Sequence, residues 1–158
     1  MDEGRRFPDD ESVKLIELQA AGLYPPVAGD RHVLLRWFNG MEGSHTYTQV
    51  IHLTGGPGNY AFLTPSIKRH SEESRRLNTF YPLGLYTRAQ RDQIISLASS
   101  IRFNRRSTVN DCLVWMRDLL EAMVAVGLLH KATFDVLDAQ IPLKKRVRES
   151  SDGVPSAN

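Results

Sequence analysis

At 158 residues, 41% hydrophobic and 24% charged, the chain has the length and composition of one ordinary globular domain, which excludes collagen-like, mucin-like and wholly disordered classes. Twenty basic residues against eighteen acidic leave a net charge of +2, too balanced to point to nucleic acid as a partner. No apolar run approaches the roughly 18 residues of a membrane-spanning helix, which argues against membrane insertion.

Taken in order, residues 1–10 read as polar and loose. The start, Met1 to Arg6, has no apolar stretch behind it and suits neither a secretory signal nor a transit peptide. Val13–Leu18 fits a short strand that stops before Gly22 and the Pro25-Pro26 pair. Arg31–Phe38 is rich in aliphatic and aromatic residues and predicts a second strand, with Trp37 and Phe38 as packing residues and 39–43 as a turn. Thr46–Thr54 alternates and is β-branched, the best strand signal in the chain. Gly55-Gly56-Pro57-Gly58 then reads as a hairpin turn into a short strand, Tyr60–Leu63. Residues 66–78 are polar, a loop or edge excursion, and Phe80–Tyr86 adds one more strand.

The period then changes. Thr87 and Gln90 form a capping box ahead of Ile94, Leu97, Ala98 and Ile101 at helical spacing. A stronger helix is predicted over 108–126, with Leu113, Met116, Leu119, Leu120, Met123 and Val124 on its apolar face and Gly127 as its stop. A third, short helix follows Thr133. Strands first and helices last predict an α+β domain over 1–142, a mainly antiparallel sheet of four to five strands packed on two to three helices. The basic run Lys144-Lys145-Arg146-Val147-Arg148 opens a tail, 143–158, expected to be solvated and disordered.

Phosphate loops, dinucleotide fingerprints, Cys-x-x-Cys and His-Glu-x-x-His are absent, and five scattered histidines supply no metal-ligand spacing, so neither a metal nor a cofactor is expected. Chemistry therefore rests on Cys112 and the histidines. A single cysteine has no internal disulfide partner and fits a reducing, cytoplasmic setting. A thiol in the first helical turn feels the positive helix end, which favours thiolate, and the amides there suit an oxyanion. Cys112 also shares a stripe with Met116, Leu119 and Met123, so a buried core thiol fits the same spacing.

Several segments in order carry a resemblance: Arg31-His32-Val33-Leu34-Leu35, Val50 to Tyr60, Tyr81-Pro82-Leu83-Gly84, and Asp111-Cys112-Leu113-Val114-Trp115 opening an apolar helix. Together they resemble a group of small fungal proteins with a histidine on an early strand and Cys-Gln-x-Trp at a helix start. That order is similar to the circularly permuted papain-like thiol enzymes of the lecithin:retinol acyltransferase-like group. The resemblance implies a permuted papain-like fold and a thiol-dependent acyl hydrolase or acyltransferase, with Cys112 as nucleophile and His32 as base. His52 and Gln49 are the candidates for a third polar member. Trp115, Tyr60 and Arg105 are expected to bind a small, largely apolar substrate. Two departures stand out: Val33 replaces a tryptophan and Leu113 a glutamine. They leave open a cyclase or isomerase of fungal secondary metabolism working in the same cavity without a covalent intermediate. A non-enzymatic binding module is the third reading.

Overall fold

A computed structural model describes residues 6–23, 31–63 and 66–149. Seven strands run β1 (Lys14–Ala21), β2 (Val33–Glu42), β3 (His45–Ile51), β4 (Leu53–Gly56), β5 (Asn59–Phe62), β6 (Ser66–His70) and β7 (Asn78–Tyr86). Among the described residues the helices with full bounds are α1 (Glu72–Arg76), α2 (Arg88–Ser100), α3 (Cys112–Ala125) and α4 (Lys131–Gln140). The main sheet has the order β6-β3-β2-β1-β7, all of it antiparallel, and β4 pairs with β5 in a separate hairpin. The class is α+β, as the grouping of strands before helices requires.

Alternation along the strands builds two unlike faces. On one, Tyr81, Leu18, Leu35 and Ile51 stand in register across four strands. They pack with Leu113, Met116, Leu119, Leu120 and Met123 of α3, Ile94 of α2 and Phe134 and Leu137 of α4 in one core cluster. On the other face the matching row reads Pro82, Glu17, Arg36, Val50 and Ser66. That row mixes polar and apolar side chains, and none of them belongs to the core cluster under the long helices. The chain must still pass from edge strand β6 to the opposite edge β7, and α1 lies on this route, packed against β7.

Several element boundaries move from the sequence reading. Strand β2 runs through 39–42, where a turn was expected, because a bulge between Phe38 and Gly40 lets the ladder continue to Glu42↔His45. The bulge leaves Phe38 half exposed, so it is not a packing residue, whereas Trp37 is buried. The long strand expected over 46–54 divides at His52 into β3 and β4. Residues 66–78 contain a strand and a helical turn, since β6 pairs with β3 and Ser71 caps α1 through the Ser74 amide. The long helix starts four residues later than expected, at Cys112, because Asp111 supplies the cap. Pro25 and Pro26 lie outside the described residues.

Two termini are more ordered than their composition suggests. Arg91, fully buried, donates to both carboxylate oxygens of Asp9 at 2.9 Å and to the carbonyls of Asp10, Ser12 and Tyr86. Phe7 stacks on Tyr47 at 3.9 Å. Residues 7–12 are thus fastened to the domain, against the loose reading of 1–10 where the two overlap; residues 1–5 lie outside the described residues. At the other end Leu143 is buried, Lys144 pairs with Asp111 at 2.9 Å and Arg146 with Asp118 at 2.7 Å. Asn110 bonds Val147 in both directions, and Glu149 accepts from Ser107. The basic run is therefore part of the domain to Glu149: Lys144 and Arg146 meet acids at the start and side of α3. Residues 150–158 of the expected tail lie outside the described residues.

The glycine-rich segment is a hairpin turn, as expected. Pro57 and Gly58 occupy the two corner positions between the paired Gly56 and Asn59, and Gly58 has the positive φ (+83°) that a type II corner demands. Gly55 is more constrained. Its φ is +90°, and a Cβ there would stand 2.0 Å from the Asn59 carbonyl oxygen. Gly55→Ala is expected to destabilise the domain by about 2 kcal/mol or more, read as a lower urea midpoint at unchanged slope.

Candidate functional site

The two histidines of the sequence reading meet. Just ahead of β2, His32 brings its Nε2 within 2.8 Å of Nδ1 of His52, which sits in the break between β3 and β4. The rings are set edge-on, with centroids 5.1 Å apart. Register explains the meeting. Leu35 faces Ile51, so His52 falls opposite Leu34, and His32 lies two residues before Leu34 on the same side, the face of Arg36 and Val50 rather than the core face on which Cys112 packs. Diagonal neighbours of this kind are within reach of long or aromatic side chains.

Burial makes both imidazoles poor cations. It lowers the His32 pKa below its ordinary value although part of the residue stays open to solvent. It lowers His52 to about 4, helped by the neighbouring His32 and Lys68. At neutral pH the pair is uncharged and shares one proton along the 2.8 Å line, with one nitrogen donating and the other accepting. Such a pair stays neutral, with an acceptor nitrogen free for proton exchange with a bound group, and the bond holds the outer ring in one orientation.

Gln49 does not join them. It is one residue out of phase with Val50 and His52, buried, and its Nε2 donates to the Ser66 carbonyl at 3.1 Å. Its amide ties β3 to the edge strand.

Cys112 opens α3 half-buried, packed against the core. The helix itself rests on β2 and β4, the strands entered directly after His32 and His52. Its first-turn chemistry differs from the expectation in one respect. The Asp111 carboxylate accepts from the amides of Leu113 (3.0 Å) and Val114 (3.3 Å), and the Trp115 amide donates to the Asp111 carbonyl (3.1 Å). Those amides are not open to an oxyanion, because the cap that starts the helix uses them. Lys144, at 2.9 Å from Asp111, offsets the carboxylate charge beside the thiol.

The expected substrate residues are mostly structural. Trp115 is buried against Phe62, with ring centroids 5.3 Å apart, and its indole nitrogen has no hydrogen-bond partner. Tyr60 is a core residue. Its amide donates to the carbonyl of Arg105, whose side chain is exposed, so the loop before α3 is stitched to β5. Sequence reasoning missed the capping role of Asp111 and its partner Lys144 at the helix start, and Asp9 and Arg91, which tie down the N-terminal segment. An aspartate directly before an apolar periodic run was the legible signal for the first of these.

Among the described residues no group of three or more metal-ligating side chains gathers, and no helix is long and apolar enough to cross a membrane. Comparison with known proteins finds no matching family model, no matching curated protein and no matching solved structure. The functional reading rests on the residues themselves.

Proposed function

We propose that the protein is a cyclase or isomerase that works on a small, largely apolar compound by proton transfer, without a covalent intermediate. The observation that carries this reading is the His32–His52 hydrogen bond, on the sheet face opposite the Cys112 helix. In the proposed reaction neutral His32 takes a proton from one carbon of the substrate and returns it at another, so that a double bond moves with no gain or loss of atoms. His52 orients His32 through their shared hydrogen bond. A lone thiol suits a cytosolic setting.

Under this reading turnover of a small apolar substrate survives Cys112→Ala and falls by about 10²–10⁴ in His32→Ala, which melts as the parent does. Turnover untouched by His32→Ala, or abolished by Cys112→Ala, overturns it.

A second reading has its own observation: Cys112 opens α3, and Lys144 offsets the Asp111 charge beside the thiol. In that case the protein is a thiol-dependent acyl hydrolase or acyltransferase of permuted papain-like build. The sulfur adds to the acyl carbon, the leaving group departs with the thiol proton, and water or an acceptor hydroxyl or amine then takes the acyl group and returns the thiol. Its marks are alkylation of Cys112 by iodoacetamide in the native protein at pH 7 faster than an ordinary thiol of pKa about 8.5, and hydrolysis of a p-nitrophenyl acyl ester that is lost in Cys112→Ala.

A further inference from the structure

The face of the sheet away from α2–α4 holds a groove of about 1000 Å³ between the strands and α1. Its walls include Leu15, Phe38 and Met41, large apolar side chains that are exposed. Its cations differ in how they are satisfied. Lys14 has Asp9 at 2.7 Å, Arg75 has Glu17 at 3.7 Å and Arg76 has Glu73 at 3.3 Å. Arg36 has no carboxylate within 4 Å among the described residues, and Glu17, its cross-strand neighbour, attracts it only from farther off while itself reaching Arg75. Its hydrogen bond is to the neutral Gln19 amide oxygen at 3.3 Å, although only 8% of the residue is exposed.

A guanidinium this buried is normally matched by an anion, because leaving it unmatched is costly. Phe80 holds it in place instead, its ring 5.1 Å from Arg36 and 4.4 Å from Arg75. His70, across β3 and also lining the groove, has a buried Nε2 with no hydrogen-bond partner. A rigid, planar donor fork, an unmatched ring nitrogen and an apolar wall together describe a receptor for a carboxylate carrying an apolar body.

We propose that this groove binds a small amphipathic carboxylate, its head on Arg36 and His70 and its body on Leu15, Phe38 and Met41. The site is separate from the Cys112 and His32 chemistry and does not depend on it. Calorimetric titration of the full chain with decanoate, below its micelle concentration, tests the idea against decanol. Trp37, which also borders the groove, gives a fluorescence readout. Expected are one-to-one decanoate binding, decanol weaker by about tenfold or more, and a similar loss for decanoate in Arg36→Met. Met41→Glu, on a residue 63% exposed, leaves folding intact and weakens decanoate by repulsion, so it decides the matter if Arg36→Met fails to fold. Equal binding of decanoate and decanol, or decanoate affinity untouched by Met41→Glu, overturns the proposal.

Discussion

Arg91→Ala is expected to cost the domain about 3–5 kcal/mol, the largest effect of any single polar substitution considered. The side chain is fully buried and bonds two carboxylate oxygens and three backbone carbonyls. Truncation strips all five at once and leaves Asp9, itself only 11% exposed, with Lys14 and Arg88 as its remaining cations. For a chain of this length the loss corresponds to a melting temperature lower by roughly 10–15 °C. Asp9→Asn separates charge from shape, since the amide keeps a hydrogen-bonding surface while the ion pair is gone. Burial alone would raise the Asp9 pKa. Hydrogen bonds from Arg91 and Lys14 outweigh it and hold the carboxyl at about 2. With an unfolded value near 3.8, this stabilisation is complete above about pH 5 and is lost as the pH falls from 4 to 2. The Asn variant should therefore lack that part of the acid transition, about 2 kcal/mol, when urea midpoints are compared between pH 5 and 2.

The second large effect occupies a different pH window. His52 and His70 are each lowered to about 4, first by burial and then by cationic neighbours, His32 and Lys68 for the former, Arg36 and Lys68 for the latter. An unfolded histidine takes its proton near pH 6.5, so between 6.5 and 4 the unfolded chain binds more protons than the folded one. Stability must rise with pH across that interval, and acidification must remove it before Asp9 begins to titrate. The magnitude for His52, which is buried, is about 2–3 kcal/mol between pH 7 and 4. Urea denaturation at pH 7, 5.5 and 4.5 reads it directly, and His52→Gln should flatten the profile over that range. Superimposable wild-type curves at pH 7 and 4.5 would contradict the burial of both rings as neutral imidazoles.

Much of the fold is legible in local pattern because local pattern reflects local physics. The capping box at Thr87 and Gln90 forms with both reciprocal bonds, at 3.2 and 2.9 Å. The alternation of β3 and the Pro57-Gly58 corner are likewise encoded within a few residues of themselves. The misreadings share a cause. Residues 7–12 and 143–149 are polar in composition, and polar segments look loose until their partners are known. Asp9 waits for Arg91, 82 positions away, and Lys144 for Asp111, 33 positions away.

The candidate site divides along the same line. That a histidine precedes an early strand and that Cys112 begins an apolar helix are facts of the chain, set by spacing. The His32–His52 contact is decided by the β2–β3 register, which fixes which diagonal neighbours touch. The use of the α3 amides by Asp111 follows from the cap geometry that only the folded helix possesses. Composition and periodicity thus determined the class of domain and the order of its elements, since hydrophobic period and turn chemistry act over short stretches of chain. The pairing of imidazoles, the latched termini and the unmatched Arg36 depend on residues brought together from distant positions, and for those the tertiary structure alone was decisive.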